Sequence, residues 1–270
     1  MFLNLNLHQE EQILELELIL AVCVLVFIAL LFLVLTIIKR SRKIQKVKTG
    51  KEFQTIIDDL TFKFMFDEVI SDEVFETYEK YHLSKLFKKL LVKSMVSLHK
   101  SYVGQPKHRI EKFYEISGLC NFSLKKIKSK SWVNQVEGIR DLSKLNYQNA
   151  YADILELTND TKIEVKKEAI IGVVLLKGIE ELEKFKDSNL YFDDWMQSNF
   201  LYSLKIKQTQ LEHINEGLLQ SKNESFLLLL ARIIELYQLH TQYDLLMEIL
   251  SIVQKPKIKS DLETIIARLD

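Results

Sequence analysis

Few residue patterns in this chain have the spacing that catalysis requires. Ser97-Leu-His-Lys100 and Ser123-Leu-Lys-Lys126 match S-x-x-K, in which a lysine assists a serine nucleophile, but the companion motifs of such enzymes are missing. With 37 lysines and arginines, this spacing arises by chance. Thr49-Gly50-Lys51 lacks the upstream glycine, the strand and the following hydroxyl residue of a phosphate loop. We therefore expect no catalytic residue, no enzyme and no small-molecule substrate.

Metal-binding patterns are equally sparse. Glu79 and His82 are spaced to share one helical face, as ligand pairs in di-iron bundles do. Such a site needs a second pair and two further glutamates on facing helices, and these are missing, so an ordinary surface pair is favoured. The six histidines are scattered: His8, His82, His99, His108, His213 and His240. We expect no metal site and no cofactor.

The two tryptophans, Trp132 and Trp195, each lie near the start of a predicted helix. Aromatic residues at helical spacing usually belong to the core, where one contributes a few kcal/mol, and this is the interpretation that we favour. The alternative is an exposed pair on a concave surface, which would be a hot spot for a partner.

The densest basic patch outside the N-terminal region is Lys125, Lys126, Lys128 and Lys130. A solvated helix face is its simplest explanation, and it is also a candidate partner surface. Residues 52–270 carry 30 bases and 33 acids, which is unfavourable for a nucleic-acid partner. We expect a protein partner and no nucleic acid.

The elements that carry these residues are predicted to be helices. Only seven glycines and two prolines occur, whereas turn-rich sheets need more of both. A helix is predicted over 83–102 because its apolar residues recur at i, i+3 and i+4 with lysines on the other face. Shorter helices are predicted around 107–117 and from Ser123 onward.

From residue 131, helix-start signals recur. Thr161, Ser221 and Ser260 each precede a glutamate by three residues, the pattern of a capping box. Ser131 and Asp193 are predicted simple N-caps. These starts are 30, 32, 28 and 39 residues apart, and an apolar stripe follows each. A shorter second helix is predicted within each unit, for example through Ile179, Leu182 and Phe185 or through Leu211, Ile214 and Leu218, and the last unit is a single capping helix.

Helix–turn–helix units at such spacing are typical of α-solenoids. The chain here resembles bacterial membrane-anchored HEAT-like (armadillo-type) repeat proteins. The resemblance covers about 131–270 and is clearest at 160–176, where an acidic or hydroxyl cap is followed by a valine and a small residue. It implies a solenoid of stacked helix pairs and is nearly silent on function. An irregular helical bundle is the alternative.

The N-terminal region predicts a single transmembrane helix. Leu18–Ile38 contains 21 residues without a charge, enough to cross about 30 Å of hydrocarbon. Acids precede it (Glu10, Glu11, Glu15, Glu17). Seven bases follow it and are candidate membrane-surface contacts: Lys39, Arg40, Arg42, Lys43, Lys46, Lys48 and Lys51. They serve first as a stop-transfer flank, so we expect an uncleaved anchor in the inner (plasma) membrane, with the N-terminus outside and the body cytoplasmic. Cys23 and Cys120 would lie in different compartments, so no disulfide is expected.

The predicted organisation has five parts: a short extracytoplasmic segment (1–12), the transmembrane helix (13–38), a basic linker (39–51), a helical region (52–130) and HEAT-like repeats (131–270). The expected function is a non-catalytic, membrane-tethered scaffold or adaptor. The alternative is an accessory subunit assembled through the transmembrane helix. Only Ala21 and Ala29 are small non-polar residues there, and no G-x-x-x-G occurs, so this alternative has weak support.

Overall fold

The chain is all-helical, as the sequence predicts. The computed structural model describes the backbone of residues 2–67, 71–207, 211 and 214–269, and the side chains of these residues except 2–19, 21 and 207. Within these ranges there is no strand. The helices are α1 (Phe2–Phe66), α2 (Asp72–Tyr81), α3 (Lys85–Ser101), α4 (Gln105–Ile116), α5 (Leu119–Ile127), α6 (Trp132–Lys144), α7 (Tyr151–Leu157), α8 (Ile163–Lys177), α9 (Asp194–Lys207), α10 (Glu224–Tyr237), α11 (Tyr243–Ile252) and α12 (Pro256–Leu269).

Residues up to Ile56 form an N-terminal unit that consists of α1 alone. The helix continues through the basic segment 39–51, where we had predicted a linker. Between Val22 and Phe66 it is long and apolar enough to cross a membrane, judged by length and composition. No residue in its most apolar stretch is buried. The predicted segment 1–12 and the side chains of Glu15, Glu17 and Ala21 lie outside what is described.

The remaining residues, from Ile57 onward, form a second unit, here called the body. Its first core is aromatic. The Phe64 ring, on the last turns of α1, stacks on the ring of Phe113 in α4 with 4.4 Å between centroids. Tyr78 of α2 meets the same Phe113 edge-on at 5.8 Å. Since aromatic pairs in such geometries add about 0.5–1.5 kcal/mol each beyond the area they bury, they fix α2 and α4 on the end of α1.

Several predicted helix starts are wrong by a few residues. Thr161 does not cap α8, whose N-cap is Lys162. The cap of α10 is Asn223, whose side chain accepts from the backbone N–H groups of Ser225 and Phe226. Ser221, the predicted cap, instead accepts from the Asn223 N–H and donates to the Lys186 carbonyl. Ser260 lies inside α12, which begins at Pro256 because proline has a fixed helical φ and no N–H to satisfy.

Two other starts differ in detail. Asp193 is confirmed as the cap of α9, and its carboxylate accepts from the Met196 N–H at 2.9 Å. Ser131 is the N-cap residue of α6, but its hydroxyl makes no capping bond. Ser123 is not a helix start, since α5 begins after Gly118, which adopts the left-handed conformation at φ +69°.

With these corrections the recurrence becomes more even. The long helices α6, α8, α9, α10 and α12 begin at residues 132, 163, 194, 224 and 256, so neighbouring starts are 31, 31, 30 and 32 residues apart. Each of these helices packs against the next one in this order. Shorter elements lie between them: α7, α11 and 3-10 turns at Ile179–Phe185 and Glu216–Gln220. Leu211 and Ile214, predicted in a second helix, lie in irregular backbone.

Helix packing in this series is close enough to require glycine at two positions. A Cβ on Gly138 of α6 would lie 2.8 Å from the Ser123 carbonyl oxygen of α5. A Cβ on Gly172 of α8 would lie 2.9 Å from Ile139 of α6. The backbone of α6 therefore approaches α5, and that of α8 approaches α6, more closely than a side chain at these positions would allow.

Candidate functional site

A groove of about 630 Å³ crosses the body. Its walls come from α3, from α6, from the start of α8 and from the start of α9 with the preceding Asp193. Both tryptophans of the chain line it, and we call it the tryptophan groove. Residues from four helices contribute, so it exists only in the folded body.

Both tryptophans are exposed, which contradicts the prediction that they belong to the core. Trp132 retains 43% and Trp195 51% of its accessible surface, whereas Val136 and Met196 on the same two helices are buried. Both lie in the first turn of their helices, but Met196 in the same turn of α9 is buried, so position along the helix does not decide their exposure. The tryptophans lie on the side of the helix that no neighbouring helix covers.

These tryptophans belong to a row of exposed apolar residues at successive helix starts. Ile163, the first residue of α8, is 49% exposed and lies between them in the series. Val133 beside Trp132 is also exposed. The row ends at α9, because α10 begins with Glu224, whose carboxylate accepts from the Lys255 N–H. Three successive long helices, α6, α8 and α9, therefore begin with exposed apolar residues, whereas α10 does not.

The acidic residues around the groove are mostly neutralised within the chain. The Lys126 ammonium donates to Asp141 at 2.6 Å and to Glu137 at 3.1 Å. Glu137 also accepts from Lys89 at 3.2 Å. Asp193 accepts from Lys167. Outside the lining itself, Glu168 accepts from Arg140 of the groove at 2.7 Å.

The pKa values of two of these acids follow from their surroundings. Burial would raise the pKa of Glu137, but hydrogen bonds and charge from Lys126 and Lys89 lower it below the ordinary value. Burial dominates at Asp141 and raises its pKa, even though the Lys126 ammonium and the Ser123 hydroxyl both donate to it. The wall between α5 and α6 is thus a partly buried polar network in which Lys126 links Glu137 to Asp141.

A second cavity of about 250 Å³ adjoins the groove, and we call it the lysine pocket. It shares Lys93, Val96 and Lys144 with the groove. Lys100 and Lys107 complete a set of four lysines, and no aspartate or glutamate lines the pocket. Apolar side chains from α3, α8 and α9 form the rest: Val96, Leu175, Tyr202 and Ile206.

The four lysines of this pocket lack carboxylate partners among the residues that the structure describes. Among the residues that the structure describes, none of the four has a carboxylate within ion-pair distance. The Lys100 ammonium lies 4.6 Å from the centre of the Tyr202 ring, a cation–π contact. Desolvation lowers the pKa of Lys144, and the charges of Arg140 and Lys100 lower it further against the opposing effect of Glu168. The Lys144 side chain nonetheless remains exposed, so a ligand can reach it.

The predicted lysine cluster does not form one surface. Lys126 is 12% exposed and occupied by its two carboxylates. Lys128 lies 3.8 Å from Asp153. Lys125 and Lys130 are exposed. The basic residues that line a cavity are instead those of the lysine pocket, which sequence spacing does not group because they come from three helices.

The remaining candidate positions are the N-terminal bases and the histidines. Among the described residues, only His99 of these lines either cavity. The side chains of the bases from Lys39 to Lys48, and of Lys51, are exposed along α1. His99 lines the lysine pocket, but its ring nitrogen bonds the carboxylate of Glu111 at 2.7 Å. The Nδ1 atom of His82 contacts the Glu79 backbone carbonyl rather than its carboxylate. Among the described residues no group of three potential ligands could hold a metal ion, and His213 and the His8 side chain lie outside that description.

Comparison of the chain with protein-family models, with curated proteins and with solved structures finds no match.

Proposed function

We propose that this chain is a non-catalytic, membrane-tethered adaptor that binds a segment of a protein partner in the tryptophan groove. The observation that carries the proposal is the exposure of Trp132 and Trp195 on one groove. Tryptophan is the residue type most enriched at energetic hot spots of protein interfaces, and an exposed pair in a soluble surface costs solubility unless a partner covers it.

The proposal includes a HEAT-like solenoid for the body. The even helix starts and the packing of each long helix on the next support it. Bonds between successive units add support: Gln148 donates to the Leu176 carbonyl and Gln242 to the Ile214 carbonyl, each across 28 residues. In a solenoid each unit contacts its neighbours and leaves an extended surface for a partner.

The proposal also places α1 across a membrane. Its apolar stretch is wholly unburied, which argues against a core helix of a soluble protein. A continuous helix satisfies its own backbone groups in lipid. The bases from Lys39 to Lys51 would hold that end on the cytoplasmic side of the inner (plasma) membrane, so the body would face the cytoplasm.

A tether explains why the groove does not need to bind tightly. A partner attached to the same membrane meets the groove at an effective concentration of the order of mM, which raises occupancy without any new contact. A partner segment from a membrane-bound protein therefore suits both halves of the chain.

The test is site-specific photo-crosslinking of the full-length chain in its native membrane. A benzoyl-phenylalanine at Val133 lies in the groove, and one at Leu83, which is 84% exposed and outside the groove, is the matched control. We expect a discrete protein adduct from position 133 that is lost when both tryptophans are replaced by alanine. No adduct from the groove, or the same adduct from both positions, would refute the proposal.

The same membranes test assembly through the transmembrane helix. Cys23 is exposed on α1 and Cys120 is buried, so an oxidant joins two chains only where their α1 helices touch. A disulfide-linked homodimer through Cys23, together with no photo-crosslinked adduct from position 133, would favour the accessory-subunit alternative.

A further inference from the structure

We propose that the partner segment is acidic, and that its carboxylates lie over the lysine pocket while its apolar side chains pack along Trp132, Ile163 and Trp195. This inference rests on the proposed function and specifies the chemistry of the partner. Three observations carry it: the imbalance of charge, the positions of the lysines on their helices, and the lining residues that the two cavities share.

Charge around the combined site is not balanced within the chain. Glu137, Asp141 and Asp193 on the groove are each engaged by lysines. Lys93 and Lys144, which line both cavities, have no such partner among the described residues. Glu164, the fourth acid on the groove, has no ion pair among the described residues. No acid lines the pocket, however, and its lysines have no carboxylate within ion-pair distance there, which leaves a positive pocket that an anionic segment complements.

The helix dipole accounts for the positions of only two of the four pocket lysines. Lys100 and Lys144 lie in the last turns of α3 and α6, where a cation is stabilised by the carbonyl ends of the helix. Lys93 lies in the middle of α3, and Lys107 lies in the first turn of α4, where the same dipole disfavours a cation. Local helix stability therefore does not account for Lys93 and Lys107, whereas an anionic ligand does.

The two cavities adjoin, so one extended ligand can reach both. They share Lys93, Val96 and Lys144, and the pocket adds apolar side chains of its own: Leu175, Tyr202 and Ile206. A helix of about 14 residues spans roughly 21 Å. An amphipathic helix with acids on one side and leucines or aromatics on the other would match this order of charge and apolar surface.

The experiment is selection from a random peptide library on the full-length chain in nanodiscs of zwitterionic lipid, which removes competition from anionic lipid. Selected peptides are then titrated into the wild type and the variants while tryptophan emission is recorded. The library omits Trp so that emission comes from the chain alone, and we expect enrichment of Asp and Glu together with Leu or Phe. Replacement of the shared lysines (Lys93→Gln with Lys144→Gln) should weaken binding about tenfold, because two charge contacts are lost.

The matched control removes the same charge elsewhere. Lys125→Gln with Lys130→Gln changes two exposed lysines outside the pocket and should leave the Kd unchanged. Selected peptides that carry no excess of acids but still require the tryptophans would overturn this inference and leave the proposed function standing. Displacement of a selected peptide by an equal concentration of inorganic phosphate would overturn it too, because the site would then bind any anion. An absence of enrichment would count against both proposals.

Discussion

Replacement of either tryptophan by alanine should cost less stability than truncation of a core aromatic, because each tryptophan is about half exposed. About half of Trp195 is buried, roughly 120 Å² of a side chain of about 250 Å². Alanine keeps part of that buried area, so about 70 Å² is lost, and at about 25 cal/mol per Å² this amounts to about 2 kcal/mol. No cavity forms, since the groove is open to solvent. Trp132→Ala should cost a similar amount.

The matched control is Phe200→Ala on the same helix, α9. Phe200 is 1% exposed, so truncation leaves a closed cavity and should cost about 3–5 kcal/mol. The assay is urea unfolding of the full-length chain in detergent, followed by the loss of helical circular dichroism. If Trp195→Ala destabilises the body as much as Phe200→Ala does, the tryptophan is a core residue and the groove as described is wrong.

Fluorescence tests the same exposure without any mutation. The chain has two tryptophans and both line the groove, so its tryptophan emission reports on this site alone. The emission of the folded chain should be red-shifted and readily quenched by acrylamide. Iodide should quench it more efficiently than caesium, because unpaired lysines surround the groove. Blue-shifted emission that resists acrylamide would contradict the exposed position of the pair.

Two further predictions concern the body that supports the groove. Gly138→Ala should destabilise it by about 1–3 kcal/mol despite the higher helix propensity of alanine, because the new Cβ would lie 2.8 Å from a Ser123 carbonyl oxygen that cannot rotate away. Gly50→Ala, with nothing within 4 Å, is the control for denaturant unfolding and should cost nothing. The second prediction is a pH dependence. Burial would raise the pKa of Glu111, but hydrogen bonding and charge from His99 lower it below its ordinary value of 4.5. The folded state therefore binds fewer protons than the unfolded state, and the stabilisation is present above about pH 4.5 and is lost as the pH falls further. Glu111→Gln should flatten this acid-side loss in unfolding curves between neutral and acid pH, and an unchanged slope would contradict the pairing.

The apolar stripes show how much of the fold was predictable from sequence. The apolar stripe that follows the predicted start at Thr161 consists of Val165, Ala169, Ile170, Val173 and Leu176, and in α8 all five are buried. Hydrophobic periodicity succeeds there because the middle of a helix has a neighbour along its whole core-facing side. The same reasoning placed Trp132 and Trp195 in the core and was wrong, since a stripe does not show which side of the helix a neighbouring helix covers.

The predictions of helix caps were wrong for a different reason. The capping box at Ser221 matches the pattern by residue type, but Asn223 two residues later caps the helix, and the Ser221 hydroxyl bonds the Lys186 carbonyl 35 residues away. Several nearby polar residues compete for the same backbone N–H groups, and a distant contact decides between them. Local sequence alone does not contain that contact.

The sequence by itself determined that the chain is helical, and it located the long apolar segment and part of the core, such as the buried stripe of α8. These features depend on local properties: the scarcity of glycine and proline, the hydrophobic period and the run of uncharged residues. Tertiary structure alone decided that the tryptophans are exposed, that three of the four acids on the groove are paired, and that Lys93, Lys100, Lys107 and Lys144 line one pocket. Those facts depend on where α3, α4, α6 and α9 lie relative to one another. No pattern within a single helix specifies this, because it follows from packing between segments that lie far apart in the chain.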